Sequence, residues 1–296
     1  MSVIIPCRNE QHTITRVLDA LAGQTYPVDR LECLLVDGFS TDATREAIRS
    51  WSRDHPDFSL RIIDNPEQKI PHALNLGFSS AKNEILLRMD AHSIPQPDYV
   101  QRCVDGLESG QGESIGGQWI VRPGNDSRPA AAIAFAAGHP IGSGGASYRS
   151  GGRAGPADTV PYGCFTRETF AKVGGFNEAL LANEDYEWNA RLRKTGGVVY
   201  FDPAIRCTYF ARQTYRQLWR QYANYGYWKV QMLRRNPGTL RLRQVLPALF
   251  AFFLALSALV SIAGLIAGWP QLASIIESGE AFQACRSSFS ASICFS

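Results

Sequence analysis

Four short apolar runs fall within the first ninety residues, and amphipathic segments separate them. Val3 to Ile5 leads into a turn of Pro6, Arg8, Asn9 and Glu10, and Leu31 to Val36 ends on Asp37-Gly38. Leu60 to Ile63 is the third run, and Glu84 to Met89 the fourth, ending on Asp90. Between them, Thr13 to Leu21 places Ile14, Val17, Leu18 and Leu21 on one helical face. Ser40 to Asp42 precede a helix running through Ile48 and Trp51, and Ala73 to Ser80 form a third helix. Strand-helix alternation of this kind predicts βαβ units and a parallel sheet. Right-handed crossovers then bring all the strand ends to one side. Pro6 to Glu10, Asp37 and Asp90 are therefore expected to meet at one sheet edge, where open α/β sheets bind ligands.

The stretch EILLRMDAHSIP, Glu84 to Pro95, concentrates the chemistry. Asp90 and His92 are one residue apart on an extended chain, so both side chains point the same way. A carboxylate oxygen and a neutral imidazole can hold Mn²⁺ or Mg²⁺ against a diphosphate. A solvated turn carrying an Asp and a His is the plainer alternative.

The net charge of +3 is too small to imply a nucleic-acid partner, but its distribution is informative. Pro203 to Ile276 contains no Asp or Glu and nine Lys or Arg, the last being Arg243. An apolar, uncharged run from Val245 to Ala267 follows, long enough to span a bilayer. Basic residues before it place the preceding domain in the cytoplasm. Tyr215 to Leu233 is aromatic and basic at helical spacing, which fits either a helix lying on a membrane or a packed core helix. The seven scattered cysteines contain no CxxC pair, so reduced thiols are expected. The opening MSVIIPCRNE lacks the features of a signal peptide.

Gly138 to Gly155 is rich in glycine and serine. It reads as a surface loop or as a lid closing over substrate. Val160 to Phe165 and Phe170 to Phe176 read as strand and turn. Asn183 is placed to cap a helix carrying Glu184, Asp185 and Glu187 in its first turn and stopped by Gly196. Asp185 is a candidate general base, and a well-made amphipathic helix is the alternative.

With these residues in place, the chain resembles the inverting glycosyltransferases of family 2, which have the GT-A fold. The motifs VIIPCRNE, LLVDGFSTDAT, RMDAHSIP and NEDYEWNARLRKTGG carry the resemblance, in that order, and it extends from Val3 to Asn236. RMDAHS, DTVPYGCF and WRQYANYGYWK resemble in particular the membrane-associated glucosyltransferases of exopolysaccharide biosynthesis. The resemblance implies an α/β GT-A domain over residues 1–236, with a nucleotide-binding half at 1–100 and an acceptor half with an interfacial helix at 101–236. A transmembrane helix at 244–269 and a short tail at 270–296 follow. It implies Pro6, Arg8 and Glu10 around the nucleotide, Asp37 gripping the uracil, and Asp90 on the ribose side. His92 would face the metal and diphosphate, and Asp185 would take the acceptor's proton with Glu184 beside it. The family most often has a second Asp where His92 stands. Arg220, Gln221 and Tyr222 lie on the acceptor and membrane side, where processive members carry Gln-x-x-Arg-Trp. That motif is not reproduced, which implies transfer of a single sugar. The implied partners are a UDP-sugar, a lipid-linked saccharide acceptor, the cell inner membrane and other polysaccharide-assembly proteins, with no nucleic acid. A sugar-nucleotide nucleotidyltransferase is a rival class, although Met1 to Thr13 lacks the glycines such enzymes carry. A catalytically silent relative serving as a binding module is another.

Overall fold

The parallel strands form where expected. The computed structural model describes residues 1–235 and 242–277, in two compact units that divide between residues 240 and 241. The first unit begins β1 (Ser2–Cys7), α1 (Ile14–Ala22), β2 (Glu32–Asp37), α2 (Thr44–Asp54), β3 (Ser59–Asp64), α3 (Ile70–Ser80) and β4 (Ile85–Arg88). β1 pairs in parallel with β2 and β4, and β2 with β3. The register sets Cys7 opposite Asp37 and Asp37 opposite Asp64, so these residues stand level at one sheet edge.

Covered strands carry apolar residues on both faces. Val3 and Ile5 join the core beneath α1 and α2, and Ile4 joins the opposite core beneath α3. The predicted stripe of α1, Ile14, Val17, Leu18 and Leu21, is fully buried.

Beyond β4 the sheet becomes mixed. The chain continues β5 (Ser93–Pro95), α4 (Tyr99–Glu108), β6 (Ser114–Arg122), α5 (Arg128–Gly138), α6 (Ser147–Ser150), β7 (Gly155–Pro156), β8 (Cys164–Thr166), α7 (Arg167–Val173), α8 (Glu184–Lys194), β9 (Val199–Phe210) and α9 (Tyr215–Arg235). The strand order is β3-β2-β1-β4-β8-β6-β9-β5, with β7 added against β9. β8 runs antiparallel to β4 and β6, while β6 and β9 are parallel. One continuous sheet therefore crosses residue 100.

Several local expectations are revised. Phe170 begins no turn but lies within α7, because the Thr166 hydroxyl accepts from the Thr169 amide and caps a helix there. Phe170, Phe78, Phe165, Phe176 and Trp188 then pack as an aromatic core. The glycine-rich segment is not simply a loop, since α6 lies within it and β7 begins at its last residue. Asn183 does precede α8, but its side chain makes no capping bond. Its backbone is left-handed, φ 63°, which asparagine tolerates. The five described cysteines are buried and free, and Cys285 and Cys294 lie outside the described residues.

The second unit contributes α10 (Leu242–Glu277). Within it Leu249–Gly268 has a mean hydropathy of 2.5 and no part of it is buried, which makes it a candidate span. The helix runs past 269 to Glu277, so the first eight residues expected in the tail are helical. The rest of the tail, from 278 onward, lies outside the described residues.

The β6–β9 pairing shifts register between Gly117 and Gln118. A Cβ on Gly117 would sit 1.8 Å from the backbone oxygen of Ile205, a contact no side-chain adjustment relieves. Gly117→Ala should therefore lower stability by about 2–3 kcal/mol, the upper range for overpacking. Denaturant unfolding of the purified chain measures this.

Candidate active site

The loops after β1 and β2 are laced together. The Asn9 amide donates to Ser40 Oγ at 2.9 Å, and the Thr41 amide donates to the Asn9 carboxamide at 2.8 Å. The Glu10 amide donates to Thr44 Oγ1 at 2.8 Å. Beside this lacing, at the strand ends, lies a cavity of about 180 Å³. Pro6, Arg8, Glu10, Asp90 and His92 all line it, as expected from the topology. Asn65, Gln68 and Lys69, from the segment between β3 and α3, line it too and were not anticipated.

Asp37 stands differently. Its carboxylate is fully buried and accepts from Arg45 Nε at 2.5 Å, from Ser40 Oγ at 2.5 Å and from the Ser40 amide. Arg45 also pairs with Asp64. Asp37 thus fixes the β2–α2 turn, and its neighbour Gly38 is the residue lining the cavity.

Glu10 and His92 form a pair across the cavity, His92 Nδ1 to Glu10 Oε1 at 3.3 Å. Burial alone would raise the Glu10 pKa, but the hydrogen bonds from His92 and Thr13 outweigh it and hold the carboxyl below its ordinary value. Burial alone would lower the His92 pKa, and the bond to Glu10 with the Asp90 charge outweighs it and raises the value.

The decisive contact links residues 96 positions apart. Arg88, buried at the end of β4, donates from one guanidinium nitrogen to Glu184 Oε1 at 2.9 Å and from the other to Asp90 Oδ1 at 3.3 Å. This brings the start of α8 to the end of β4, so Glu184 and Asp185 join the edge that carries Asp90. Desolvation disfavours the Arg88 charge, but Asp90, Glu184 and Asp185 outweigh it and push its pKa up. Glu184 is 5% exposed, and desolvation raises its pKa despite Arg88. Asp185 is half-buried and accepts from the neighbouring Tyr186 amide, at 2.7 Å.

The residues expected on the acceptor side divide. Arg220 and Tyr222 face outward, while Gln221 turns inward and donates to the hydroxyls of Tyr209 and Tyr225 at 3.4 and 3.0 Å. α9 docks one face through Leu218, Trp228, Met232 and Leu233, as the packed-helix alternative expects. Tyr215, Trp219, Tyr222 and Tyr227 remain exposed on the other.

A divalent cation fits this edge only as a shared ligand. Among the described residues there is no group of three His, Cys, Asp or Glu side chains able to hold one alone. Asp90 offers a carboxylate oxygen, and His92 an imidazole whose Nδ1 is oriented by Glu10, the usual supporting arrangement for a ligating histidine. Oxygens of a bound diphosphate would complete the set.

The glycosyl transferase family 2 model matches residues 2–170. The chain belongs to glycosyltransferase family 2. Succinoglycan biosynthesis protein ExoA of Rhizobium meliloti is 30% identical over 88% of this chain and 78% of its own. A Methanococcus voltae enzyme, a dolichyl N-acetyl-α-D-glucosaminyl phosphate diacetamido-dideoxy-glucuronosyltransferase, is 27% identical over 80% of this chain and 74% of its own. In fold, the chain is similar to the mannosyltransferase PcManGT of Pyrobaculum calidifontis, solved with GDP-Man and Mn²⁺. The TM-score is 0.64 at 23% identity, covering 95% of this chain and 79% of that one. The family 2 domain thus has the GT-A fold expected from its motifs.

Arg88 was the residue missed by reading motifs. Its signal was present, since it is the charged interruption in the apolar run Ile85 to Met89. Removing one partner of a buried pair leaves an uncompensated charge, at a cost of about 3–5 kcal/mol. Arg88→Met should show a loss of that size, and Arg88→Met with Glu184→Leu should recover much of it. In the single variant Glu184 loses its counter-charge and its folded-state pKa rises further. Its deficit should shrink as pH falls from that raised pKa towards the ordinary carboxylate value, the window in which the folded state binds a proton that the unfolded state does not. Unfolding curves at several pH values measure both effects.

Proposed function

We propose that this glycosyltransferase moves a single sugar, glucose from UDP-glucose, with inversion, onto a lipid-linked or polysaccharide acceptor in cell-surface glycan synthesis. The observation that carries the reading is the Asp90–Arg88–Glu184 bridge, which ties the start of α8, where Asp185 stands, to Asp90, one of the residues lining the cavity. In this reading the nucleoside diphosphate lies in that cavity, against Pro6, Glu10 and Gly38, with Arg8 and Lys69 offsetting its charge. Asp90 and His92 hold a divalent cation, Mn²⁺ or Mg²⁺, which stabilises the departing diphosphate as a Lewis acid.

Inversion requires the acceptor hydroxyl to attack the anomeric carbon from the side opposite the leaving group. A base in line with that attack must take its proton. Of the two neighbouring carboxylates, Glu184 is buried and committed to Arg88. Asp185 is half-buried and, among the described residues, bonded to its own helix backbone, so in this reading Asp185 takes the proton and Glu184 positions it. Exclusion of water protects the donor from hydrolysis, and the segment 138–155 is suited to act as a lid.

The acceptor is read from the exposed aromatic and basic face of α9 and from the apolar span in α10. Both support a reaction at a membrane surface, and in this reading that surface is the cytoplasmic face of the inner membrane, beside other polysaccharide-assembly proteins. The name of the Methanococcus relative, with its dolichyl phosphate-linked sugar, supports a lipid-linked acceptor.

Membranes carrying the chain should release UDP from UDP-glucose, among a panel of UDP- and GDP-sugars, only when Mn²⁺ or Mg²⁺ is added. No release from any donor by a folded chain would refute the reading. Asp185→Asn should reduce transfer by at least about a thousandfold and leave UDP affinity unchanged. Residual transfer near the wild-type rate would remove Asp185 from the role of base. The chain should also stay in the membrane pellet after a carbonate wash.

A further inference from the structure

The acceptor half contains a cluster that the donor chemistry leaves unused. The guanidinium carbon of Arg149, on α6, lies 5.1 Å from the ring centroid of Trp119, 5.6 Å from that of Tyr148 and 5.9 Å from that of Tyr209. Trp119 and Tyr209 stack at 4.2 Å with an interplanar angle of 5°, and Tyr148 stands edge-on to Trp119. Aromatic faces stabilise a cation but accept none of its hydrogen bonds in the guanidinium plane. No carboxylate among the described residues forms an ion pair with Arg149, whereas the guanidinium of Arg88 has two. Independently, the indole N–H of Trp119 is buried and has no hydrogen-bond partner. The box therefore holds donors of two kinds facing no anion of the protein's own. The Trp119 N–H is an orphaned buried donor, which calls for a ligand acceptor, while Arg149 bonds the Tyr148 side chain and brings the positive charge.

Its place in the fold indicates which ligand. On one side Trp119 touches Tyr162, at 5.6 Å, and the Tyr162 hydroxyl is 2.5 Å from Ser93 Oγ, three residues beyond Asp90. On the other, Tyr209 is bonded to Gln221 on α9, the helix whose outer face exposes Trp219 and Tyr222. An acceptor that enters beside α9 and presents its sugar near Asp185 carries its linking group past this box. A guanidinium fork matches phosphate oxygens in pairs, and an indole N–H adds a further donor.

We propose that Arg149 and Trp119 form a subsite for the phosphate or diphosphate ester of the acceptor, the group joining its saccharide to the lipid. This rests on the lipid-linked acceptor proposed above. The geometry assigns Arg149 the charge and the fork, and assigns Trp119 both the platform under the guanidinium and the free N–H.

The test uses the full chain in detergent, with UDP and Mn²⁺ at saturation to fill the donor cavity. Binding of farnesyl diphosphate, farnesol and inorganic pyrophosphate is then measured by calorimetry. Farnesyl diphosphate should bind and farnesol should bind far more weakly. Arg149→Gln should weaken farnesyl diphosphate by at least about tenfold, with Arg149→Lys between it and the wild type. Trp119→Phe, which keeps the ring and removes an unbonded N–H, should weaken it by about threefold without loss of folding. UDP affinity should be the same in all four proteins. Equal binding of inorganic pyrophosphate would support the subsite but assign it to a soluble phosphate rather than a lipid headgroup. Absence of farnesyl diphosphate binding, or binding unchanged by Arg149→Gln and Trp119→Phe, would overturn the proposal. Sugar transfer in the same preparation separates the two readings. Arg149-dependent binding without turnover of any donor would refute the transferase reading alone, and turnover with Arg149-independent binding would refute this one alone.

Discussion

A guanidinium enclosed by protein holds the two functional ends of this chain together. Arg88 cannot shed its charge, and its surroundings offer two carboxylates, one two residues ahead and the other 96 residues away. Such a triad adds little net stability, because desolvating three charges offsets most of their attraction. Its effect is on geometry. Any placement of α8 that separates Glu184 from β4 leaves a buried charge unmatched, so the start of α8 has one acceptable position. Asp185 is carried to that position by its neighbour and needs no strong contact of its own.

The rest of the sheet serves the same end by a change of direction. The parallel strands β3, β2, β1 and β4 build a ligand edge from consecutive βαβ units. β8 then returns antiparallel beside β4, and β6 and β9 extend the sheet beyond residue 100. Trp119 and Tyr209 project from these later strands, so the aromatic box and the cavity at the strand ends share one rigid support. The tight approach of Gly117 to Ile205 lets the two long strands shift register between Gly117 and Gln118, just ahead of Trp119.

The legible parts of the sequence were those governed by local rules. The alternation of strand and helix located β1 to β4 within a residue or two. Strand ends on one side then brought Pro6, Arg8, Glu10, Asp90 and His92 to one cavity. Long-range pairing was not legible: nothing local in RMDAH or NEDYE states that Arg88 and Glu184 meet. Asp37 sits at the expected edge, yet its carboxylate turns to Arg45, a choice made by side-chain packing that strand position does not determine. Phe170 looked like part of a turn because the Thr166 cap was not recognised. The periodicity of α9 was visible, but which face docks depends on Tyr209 and Leu180, which lie far away in sequence. Gln221 therefore separated from Arg220 and Tyr222 only in three dimensions.

The lacing of the β1 and β2 loops has a consequence for how a ligand is received. Asn9, Glu10, Ser40, Thr41 and Thr44 hold these loops by hydrogen bonds made within the protein. Binding to a wall already ordered loses little conformational entropy, so modest contacts suffice for useful affinity. A ligand seated against that wall can then depart without the loops having to unfold, which favours rapid exchange over tight retention.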